Sequence, residues 1–407
     1  IALLTGAVCG VLIHYYMPEG YFRDTILING ILYVLGNGFI RLMQMLVVPL
    51  VFCSLICGAT AIGDSKTLGK VGVKIIGFYI FTTMMAVAVA LGIGLLIKPG
   101  MGLDMSQIQT AEVAASSDSV SFAETLLNII PKNPIGALAN GEMLQVIVFA
   151  LIVGVILAKL QDKTQLVTNF FQQGNDIMME MTMMVMGLAP IGVFCLISKT
   201  FAGLGFSAMV PMFKYMGAVL LALFIQCCGI YQILLALLTR LNPLRFLKKF
   251  APVMGFAFST ATSNATIPMN IDTLEEKIGV NRRISSFTIP LGATINMDGT
   301  SIMQGVAVVF VAQAFGIQLS PADYLTVIAT ATLASIGTAG VPSVGLVTLA
   351  MVFDSVGLPV AGIGLIMGID RILDMARTAV NITGDAVCTT IVAHQDGALN
   401  KSIFNKN

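Results

Sequence analysis

Long runs of apolar residues, interrupted by short polar stretches, occupy most of this 407-residue chain. A run of about 20 apolar residues is long enough to cross the hydrocarbon core of a bilayer as an α-helix. Runs of that kind lie roughly at residues 1–16, 28–62, 69–97, 141–161, 168–198, 206–238, 284–315 and 358–393. The pattern predicts an all-α polytopic membrane protein with eight transmembrane helices.

Two further apolar stretches, around residues 250–280 and 321–354, are broken by small and polar residues. Lys and Arg favour cytoplasmic loops, and the first stretch has basic residues on both of its sides. A single spanning helix cannot have both ends in the cytoplasm, whereas a re-entrant helical hairpin can. The second stretch lies in a window, 284–370, without any Lys or Arg, which predicts a hairpin entered from the outside.

The two broken stretches share a small, polar tip that ends in proline, at Ser259–Pro268 and Ser335–Pro342. Two hairpins of opposite topology are typical of inverted repeats, and transporters built from such repeats bind their substrate at the repeat interface. The alternative is a pair of ordinary Gly- and Ser-rich loops outside the membrane. Basic residues in most of the other short loops predict a multi-pass protein with both termini in the cytoplasm. We expect it in the cell inner (plasma) membrane.

The composition narrows the class of function. Apolar residues make up 57% of the chain and charged residues 11%, with a net charge of +1. Such a chain has no basic surface to neutralise phosphates, so we expect no nucleic-acid partner. The seven cysteines all lie in apolar runs, which favours packing in the core over a disulfide framework.

The last apolar segment carries an unusual number of charged and polar residues. If residues 368–390 form a helix, six of these residues fall within an arc of roughly 100° on one face. They are Asp370, Asp374, Arg377, Thr378, Asn381 and Asp385. Ionisable groups are costly at membrane depth unless they pair or face a watery cavity, so this face is a candidate site for ions or substrate.

Arg377 is the strongest indication of the substrate. A guanidinium keeps its charge and binds carboxylates with two hydrogen bonds, so an unpaired arginine in a cavity favours an anionic guest. Asp374, one turn earlier, can hold an ammonium group. Together they describe a binder of zwitterions that carry an additional acidic group. The alternative is an internal ion pair of Arg377 with Asp370, Asp374 or Asp385.

A second polar segment, Asn-Met-Asp-Gly-Thr at residues 296–300, lies in the middle of the seventh apolar run. Asn, Asp and Gly are poor helix formers, so we expect the helix to unwind here and to expose carbonyl groups. A hard cation such as Na⁺ needs several oxygen ligands, and Asp298 and Asp385 supply negative charge for two cations. The alternative is a glycine-kinked helix whose Asn and Asp cap broken backbone groups.

These residues resemble the dicarboxylate/amino acid:cation symporter family over essentially the whole chain. The resemblance is carried by NMDGT at 296–300 and by the pattern DxxxDxxRTxxNxxGD at 370–385. The family includes prokaryotic aspartate and glutamate transporters and the animal excitatory amino-acid transporters. The resemblance implies symport of L-aspartate and/or L-glutamate with several Na⁺ ions, by a homotrimer in the lipid bilayer that moves its substrate by an elevator mechanism.

The resemblance also implies a division of each protomer. Residues 1–66 and 141–202 would form a static scaffold for trimerisation, and residues 67–98 and 203–395 a mobile transport domain. The transport domain would contain an inner hairpin at 243–280 and an outer hairpin at 321–356, the latter acting as the external gate. Residues 99–140 would be an extracellular loop and residues 396–407 a cytoplasmic tail.

Site residues follow from the same resemblance. The substrate-binding residues that it implies are Arg377, Asp374, Thr378, Asn381, Thr300, Ser263, Val341 and Gly345. One sodium ion would bind Asp385 with carbonyl groups of Gly292, Asn296 and Asn381. A second would bind carbonyl groups of Thr294, Ser335, Ile336 and Thr338, near the sulfur of Met297. A third would bind Asp298, Asn296, Tyr79, Thr82 and Thr83.

Three positions depart from the family pattern. Ala261 and Met375 stand where different relatives have an additional arginine, and we hypothesise that Arg371 substitutes for it. Gln304 stands where the animal carriers have a glutamate linked to proton movement, which leaves proton and potassium coupling open. Further alternatives are a C4-dicarboxylate or neutral substrate and an intramembrane aspartyl protease, although Asp374 and Asp385 on one helix make a poor catalytic dyad.

Overall fold

The computed structural model describes residues 2–63, 69–103, 130–204, 209–337, 344–367 and 369–406. Within these ranges the chain forms helices and turns but no β-strand, and Val280 and Leu399 form an isolated bridge. The all-α prediction is therefore confirmed. Four helical stretches of this part are long and apolar enough to cross a membrane: Lys70–Ile97, Gln145–Val185, Met209–Thr239 and Arg282–Ala314. The count of eight transmembrane helices stays a prediction.

The first half of the chain supplies helices α1 to α7. They are α1 (Ala2–Tyr16), α2 (Tyr33–Gly63), α3 (Gly69–Ile97), α4 (Pro134–Asn140), α5 (Met143–Leu160), α6 (Gln165–Gly187) and α7 (Ala189–Leu204). A π-helical segment, Phe22–Leu32, leads into α2, and a 3₁₀ turn, Gln161–Thr164, joins α5 to α6. Most of these helices pack on one another, with α1 against α7 and α2 against α5, α6 and α7.

Small residues allow these helices to approach closely, as is usual between membrane helices. A Cβ built on Gly10 of α1 would lie 2.6 Å from Cβ of Phe201 in α7, and one built on Gly154 of α5 would lie 2.5 Å from Cβ of Ala59 in α2. Neither position has room for a larger side chain. The fifth predicted segment, 168–198, is divided at Leu188 because Pro190 lacks the amide hydrogen that a continuous helix needs there.

The second half supplies α8 to α18. They are α8 (Met209–Phe224), α9 (Tyr231–Thr239), α10 (Pro243–Thr260), α11 (Ser263–Thr273), α12 (Arg282–Ile295), α13 (Asp298–Ala314), α14 (Pro321–Gly337), α15 (Val344–Ser355), α16 (Ile363–Met367), α17 (Asp370–Gln395) and α18 (Lys401–Asn405). Helix α17 is central, since α3 and α8 to α13 all pack against it. Nearly all of its side chains from Leu373 to Ala393 are buried.

The predicted inner hairpin is present as two packed helices, α10 and α11, joined by Ala261 and Thr262. Ala261 ends α10 in the left-handed region, with φ of 51°, which reverses the chain in a very short connection. Helices α14 and α15 of the predicted outer hairpin also pack together, while its tip at 338–343 lies outside the described residues. The re-entrant placement of both hairpins in a membrane stays a prediction.

Candidate functional site

The polar face predicted for the last helix is turned into the protein. All six of its residues from Asp370 to Asp385 are buried, whereas Ile372 on the opposite face is 56% exposed. A surface helix of a soluble protein buries its apolar face and exposes its polar face. Polar groups gathered inside an apolar bundle are the pattern expected of an ion or substrate site in a membrane protein.

Arg377 forms two ion pairs within its own helix. Its Nη1 lies 2.8 Å from Oδ1 of Asp370, and its Nη2 lies 2.8 Å from Oδ1 of Asp374. The side chain is 1% exposed. The internal pairing considered as an alternative is thus present here, with Asp370 and Asp374 as the partners. Nε of Arg377 has no hydrogen-bond partner among the described residues, so the guanidinium retains a donor.

Three helices meet at this arginine. A Cβ built on Gly345, in the first turn of α15, would lie 2.7 Å from Cγ2 of Thr300 and 3.8 Å from Nη2 of Arg377. Gly345, Thr300 and Arg377 therefore lie together, as the resemblance implies for a substrate site. On the other side, Arg371 is 60% exposed and its Nη1 lies 4.0 Å from Oδ2 of Asp374. The hydroxyl of Thr378 donates to the carbonyl of Asp374.

The helix breaks at the predicted position. Helix α12 ends at Ile295 and α13 begins at Asp298, with extended backbone at Asn296 (φ −100°, ψ 94°). The break brings α13 close to α17: the amide of Gly299 donates to Oδ1 of Asn381 at 2.7 Å, and Nδ2 of Asn381 contacts Sδ of Met297 at 3.2 Å. The prediction of unwinding at NMDGT is confirmed.

Asp385 lies beside this break. Nδ2 of Asn296 donates to Oδ1 of Asp385 at 2.9 Å, and a Cβ built on Gly292 would lie only 2.5 Å from the same oxygen. Asp385, Asn296, Gly292 and Asn381 are thus brought together, the set that the resemblance implies for one cation. Asp385 is buried and has no ion pair with any described residue. A small hard cation would supply the missing positive charge.

Asp298 forms a second buried carboxylate site. Its Oδ1 accepts from Oγ1 of Thr83 at 2.5 Å. Its Oδ2 accepts from Nε2 of Gln226 at 3.1 Å and from Oη of Tyr231 at 2.7 Å. In the part of the chain that the structure describes, no Lys, Arg or His forms an ion pair with this carboxylate, so neutral donors alone stabilise it.

The remaining members of the third implied cation set lie around Asp298. Oγ1 of Thr82 donates to the carbonyl oxygen of Tyr79 at 3.1 Å, and Oγ1 of Thr83, which donates to Asp298, lies 2.7 Å from the same carbonyl oxygen. The Tyr79 hydroxyl donates to the carbonyl oxygen of Thr288 at 3.2 Å. Sequence reasoning missed Gln226 and Tyr231. Their position could have indicated a role in the site, because both are polar side chains in the apolar run 206–238.

The second implied cation set is described in part. Oγ of Ser335 lies 2.9 Å from the carbonyl oxygen of Thr332 in its own helix and 3.2 Å from that of Ile295 at the end of α12, and Ile336 is also buried. Thr294 is exposed, and its hydroxyl bonds within its own helix. Thr338 and Val341 lie outside the described residues. Ser263 is buried at the start of α11, and no described hydrogen bond joins it to the polar side chains of α17.

The donor chemistry of these sites fits hard cations. Their ligands are carboxylate, amide and backbone oxygens. Within the described ranges no three His, Cys, Asp or Glu side chains converge, so the residues do not form the nitrogen and sulfur cluster that zinc prefers.

Comparison with known proteins gives one consistent family. A model of the sodium:dicarboxylate symporter family matches residues 1–395. A proton/glutamate-aspartate symporter of Bacillus subtilis (strain 168) is 36% identical over 407 residues, covering 98% of this chain and 94% of that protein. The proton/glutamate-aspartate symporter of Escherichia coli (strain K12) is 35% identical, covering 96% of this chain and 90% of that protein. A proton/sodium-glutamate symport protein of Bacillus caldotenax is 34% identical, covering 98% and 94%.

These matches extend over almost the whole chain, so they confirm the resemblance carried by NMDGT and the last helix. The alternative of an intramembrane aspartyl protease is wrong. The chain belongs to the sodium:dicarboxylate symporter family, a family of transporters rather than enzymes.

Proposed function

We propose that this protein is a symporter that imports L-aspartate and/or L-glutamate together with Na⁺. The observation that carries the proposal is the buried pair of Arg377 and Asp374, whose Nη2 and Oδ1 atoms are 2.8 Å apart. A cationic and an anionic group side by side complement the side-chain carboxylate and the ammonium group of an acidic amino acid. The relatives named as glutamate and aspartate symporters support the same substrate class.

Substrate would bind by exchange of partners. In this proposal the guanidinium of Arg377 donates two hydrogen bonds to the side-chain carboxylate of the substrate. The carboxylate of Asp374 accepts a hydrogen bond from the substrate's ammonium group. Asn381 and Thr378, on the same face of α17, would hold the main-chain carboxylate. The exchange gives Arg377 and Asp374 each a partner of opposite charge, and the neutral donors hydrogen-bond the main-chain carboxylate, so every charged group in the apolar interior is paired or hydrogen-bonded. A neutral substrate would leave Arg377 without an anionic guest.

Na⁺ would bind the two carboxylates that lack ion pairs, Asp385 and Asp298. Asn381 would couple ions to substrate, because its side chain contacts the amide of Gly299 and Sδ of Met297 at the break between α12 and α13. Filling the cation sites would fix this break and therefore the position of the substrate ligand Asn381. The family description and the relative named as a proton/sodium-glutamate symport protein support Na⁺ as the coupling ion.

Movement through the membrane would follow an elevator mechanism in a homotrimer of the plasma membrane, with both termini cytoplasmic. Helices α1, α2, α5, α6 and α7 pack mainly on one another, and α3 and α8 to α13 pack on α17, which supports a division into scaffold and transport domain. The inner hairpin, α10 and α11, packs on α17, the helix that carries the candidate site, which supports its place in the transport domain.

The closest alternative is coupling to protons, which is favoured by relatives named as proton symporters. The buried carboxylates of Asp298 and Asp385 would then carry protons instead of cations. At the position of the glutamate linked to proton movement in the animal carriers, this chain has Gln304, whose Nε2 donates to Oγ1 of Thr348 at 2.9 Å. An amide cannot carry a proton in this way, which supports Na⁺ over that proton route.

Uptake of labelled aspartate into proteoliposomes tests the proposal. We expect uptake under an inward Na⁺ gradient, little uptake when K⁺ replaces Na⁺, and none driven by a proton gradient alone. Uptake that is indifferent to Na⁺ but follows the proton gradient would establish the alternative. Competition by glutamate and by succinate, an acidic solute without an ammonium group, defines the substrate class in the same assay.

A further inference from the structure

The side-chain amide of Gln226 lies between two groups that are expected to bind a cation. Its Nε2 is 3.1 Å from Oδ2 of Asp298 and 3.2 Å from the carbonyl oxygen of Thr82. A primary amide nitrogen carries two hydrogens and can donate to two oxygens at once. The positive end of the amide dipole therefore occupies the space where a cation bound by Asp298 and Thr82 would lie.

The other end of the same amide has no partner. Oε1 of Gln226 is buried and accepts no hydrogen bond from any described residue, and the whole side chain is 0% exposed. Buried acceptors are nearly always satisfied in folded proteins, and an exception calls for an explanation. Of the three described glutamines with such an oxygen, Gln226, Gln232 and Gln304, it is Gln226 whose amide nitrogen contacts Asp298, so its oxygen is the acceptor that a cation at this carboxylate could use.

The backbone conformation around Gln226 directs its side chain toward Asp298. Residues Ile225–Ile230 form a π-helical segment between α8 and α9, and the amide of Tyr231 donates to the carbonyl of Gln226 five residues earlier. In a regular α-helix, residues five apart point about 140° away from each other, whereas one wide π turn brings them onto the same face. Gln226 and Tyr231 consequently both reach Oδ2 of Asp298.

We infer that Oε1 of Gln226 is a ligand of the cation at Asp298. A half-turn of the side-chain amide brings this oxygen to the cation. In this structure Nε2 donates to Asp298 and to the carbonyl oxygen of Thr82. When a cation takes that place the N–H groups must leave it, because they cannot coordinate positive charge. Rotation about the terminal side-chain bond, a soft torsion, replaces Nε2 by Oε1 without moving the backbone. The inference rests on the proposed sodium coupling and adds a ligand to it.

Binding of Na⁺ to the purified full-length protein, without substrate, tests this inference. Thermal unfolding is followed as Na⁺ is increased, since a bound ion stabilises the folded state. For Gln226→Met we expect half-maximal stabilisation at an Na⁺ concentration at least about tenfold higher than in the wild type, as for loss of one interaction with a charged group. Gln232→Met is the matched control, because this buried glutamine of α9 donates to the carbonyl of Cys227 instead. It should respond as the wild type does.

Asp298→Asn shows which part of the Na⁺ response belongs to this site. Unchanged or tighter binding in Gln226→Met, with a loss in Asp298→Asn, overturns the role of Gln226 and leaves sodium coupling intact. No Na⁺ response in the wild type overturns sodium coupling and this inference with it. If Gln226→Met does not fold, a structure of the wild type with Na⁺ decides. Oε1 of Gln226 about 2.4 Å from the ion supports the inference, and a Gln226 amide outside the coordination shell overturns it.

Discussion

Nη2 of Arg377 and Oδ1 of Asp374, the two groups proposed to hold opposite ends of the substrate, lie 2.8 Å apart and bind each other. Both charges are thus paired within the protein, with Asp370 as a second partner of the arginine. Leaving either charge unpaired in this interior would cost several kcal/mol, about 3–5 by comparison with buried pairs in other proteins. A substrate must therefore offer both an anion and a cation to separate them, which is a physical basis for selecting amino acids with an acidic side chain.

Removal of the guanidinium should abolish substrate binding. For Arg377→Gln we expect affinity for aspartate to fall by at least about 30-fold, since truncation of one partner of a buried charge pair costs about 2–5 kcal/mol. Titration calorimetry in the presence of Na⁺ measures this. The double variant Asp370→Asn, Arg377→Gln removes a charge of each sign, so it should recover stability in thermal unfolding without recovering binding. Retained aspartate binding in either variant contradicts the substrate role.

Replacement of Asp374 should change which solutes bind. In Asp374→Asn the ammonium group of aspartate loses its carboxylate partner, while Arg377 keeps both its charge and its contact with Asp370. We expect the affinity ratio of aspartate to succinate to fall at least about tenfold, because one charge-assisted hydrogen bond contributes about 1.5–3 kcal/mol. Competition binding with both solutes measures the ratio. An unchanged ratio would show that the ammonium group binds elsewhere.

Arg371 should have a modest effect of its own. Its Nη1 is 4.0 Å from Oδ2 of Asp374 and the side chain is 60% exposed, so the attraction is screened by solvent. For Arg371→Ala we expect KM for aspartate to change by up to about fivefold, equivalent to at most about 1 kcal/mol. Initial uptake rates in proteoliposomes give KM and kcat separately. Wild-type values for both would end the hypothesis that Arg371 assists the site.

Much of this site follows from the sequence because its chemistry is costly in an apolar bundle. The charged residues of α17 and the poor helix formers at 296–300 are easily recognised in a chain that is 57% apolar. In the structure these charged residues are buried, and the helix is interrupted at the poor helix formers. Periodicity alone indicates which face of α17 is polar. It does not indicate whether Arg377 faces a cavity or pairs with Asp370 and Asp374, since both need the same face.

Contacts between distant segments were the part that sequence reasoning missed. Gln226 and Tyr231 are 140° apart on a regular helix by the usual 100° per residue, so their common target is hidden until the π-helical segment is seen. The break at Leu188 was missed for a different reason. Hydropathy averages over it, and only Pro190 marks the position.

A methyl group at Gly292 should disturb cation binding. Its Cβ would lie 2.5 Å from Oδ1 of Asp385 and 2.6 Å from Oη of Tyr79, so these side chains must shift. For Gly292→Ala we expect a loss of about 1–3 kcal/mol in stability, as for other overpacked cores, together with weaker stabilisation by Na⁺. Gly217→Ala is the control, because a Cβ at this glycine of α8 meets no atom within 4 Å. Equal Na⁺ responses in both variants would contradict a cation site at Asp385.

The C-terminal segment should be held to the inner hairpin by Lys249. Its Nζ donates to the carbonyl oxygens of Phe404 and Lys406, both at 2.9 Å, and to that of Lys277 at 3.1 Å. Phe404 itself is buried, with 1% of its surface exposed. Lysine charge at the end of a short helix satisfies carbonyl groups that have no partner in the helix itself. We expect Lys249→Met to release residues 401–406 from α10.

Limited proteolysis and hydrogen exchange of the purified protein measure this release, which should appear as faster cleavage and loss of amide protection confined to the C-terminal segment. Lys248→Met is the matched control, because Lys248 is the exposed neighbour on the same helix. If the segment does restrain the hairpin, Lys249→Met should also change the rate of aspartate release to the inside more than its equilibrium affinity. Protection equal to that of Lys248→Met would mean that burial of Phe404, rather than the lysine, holds the segment in place.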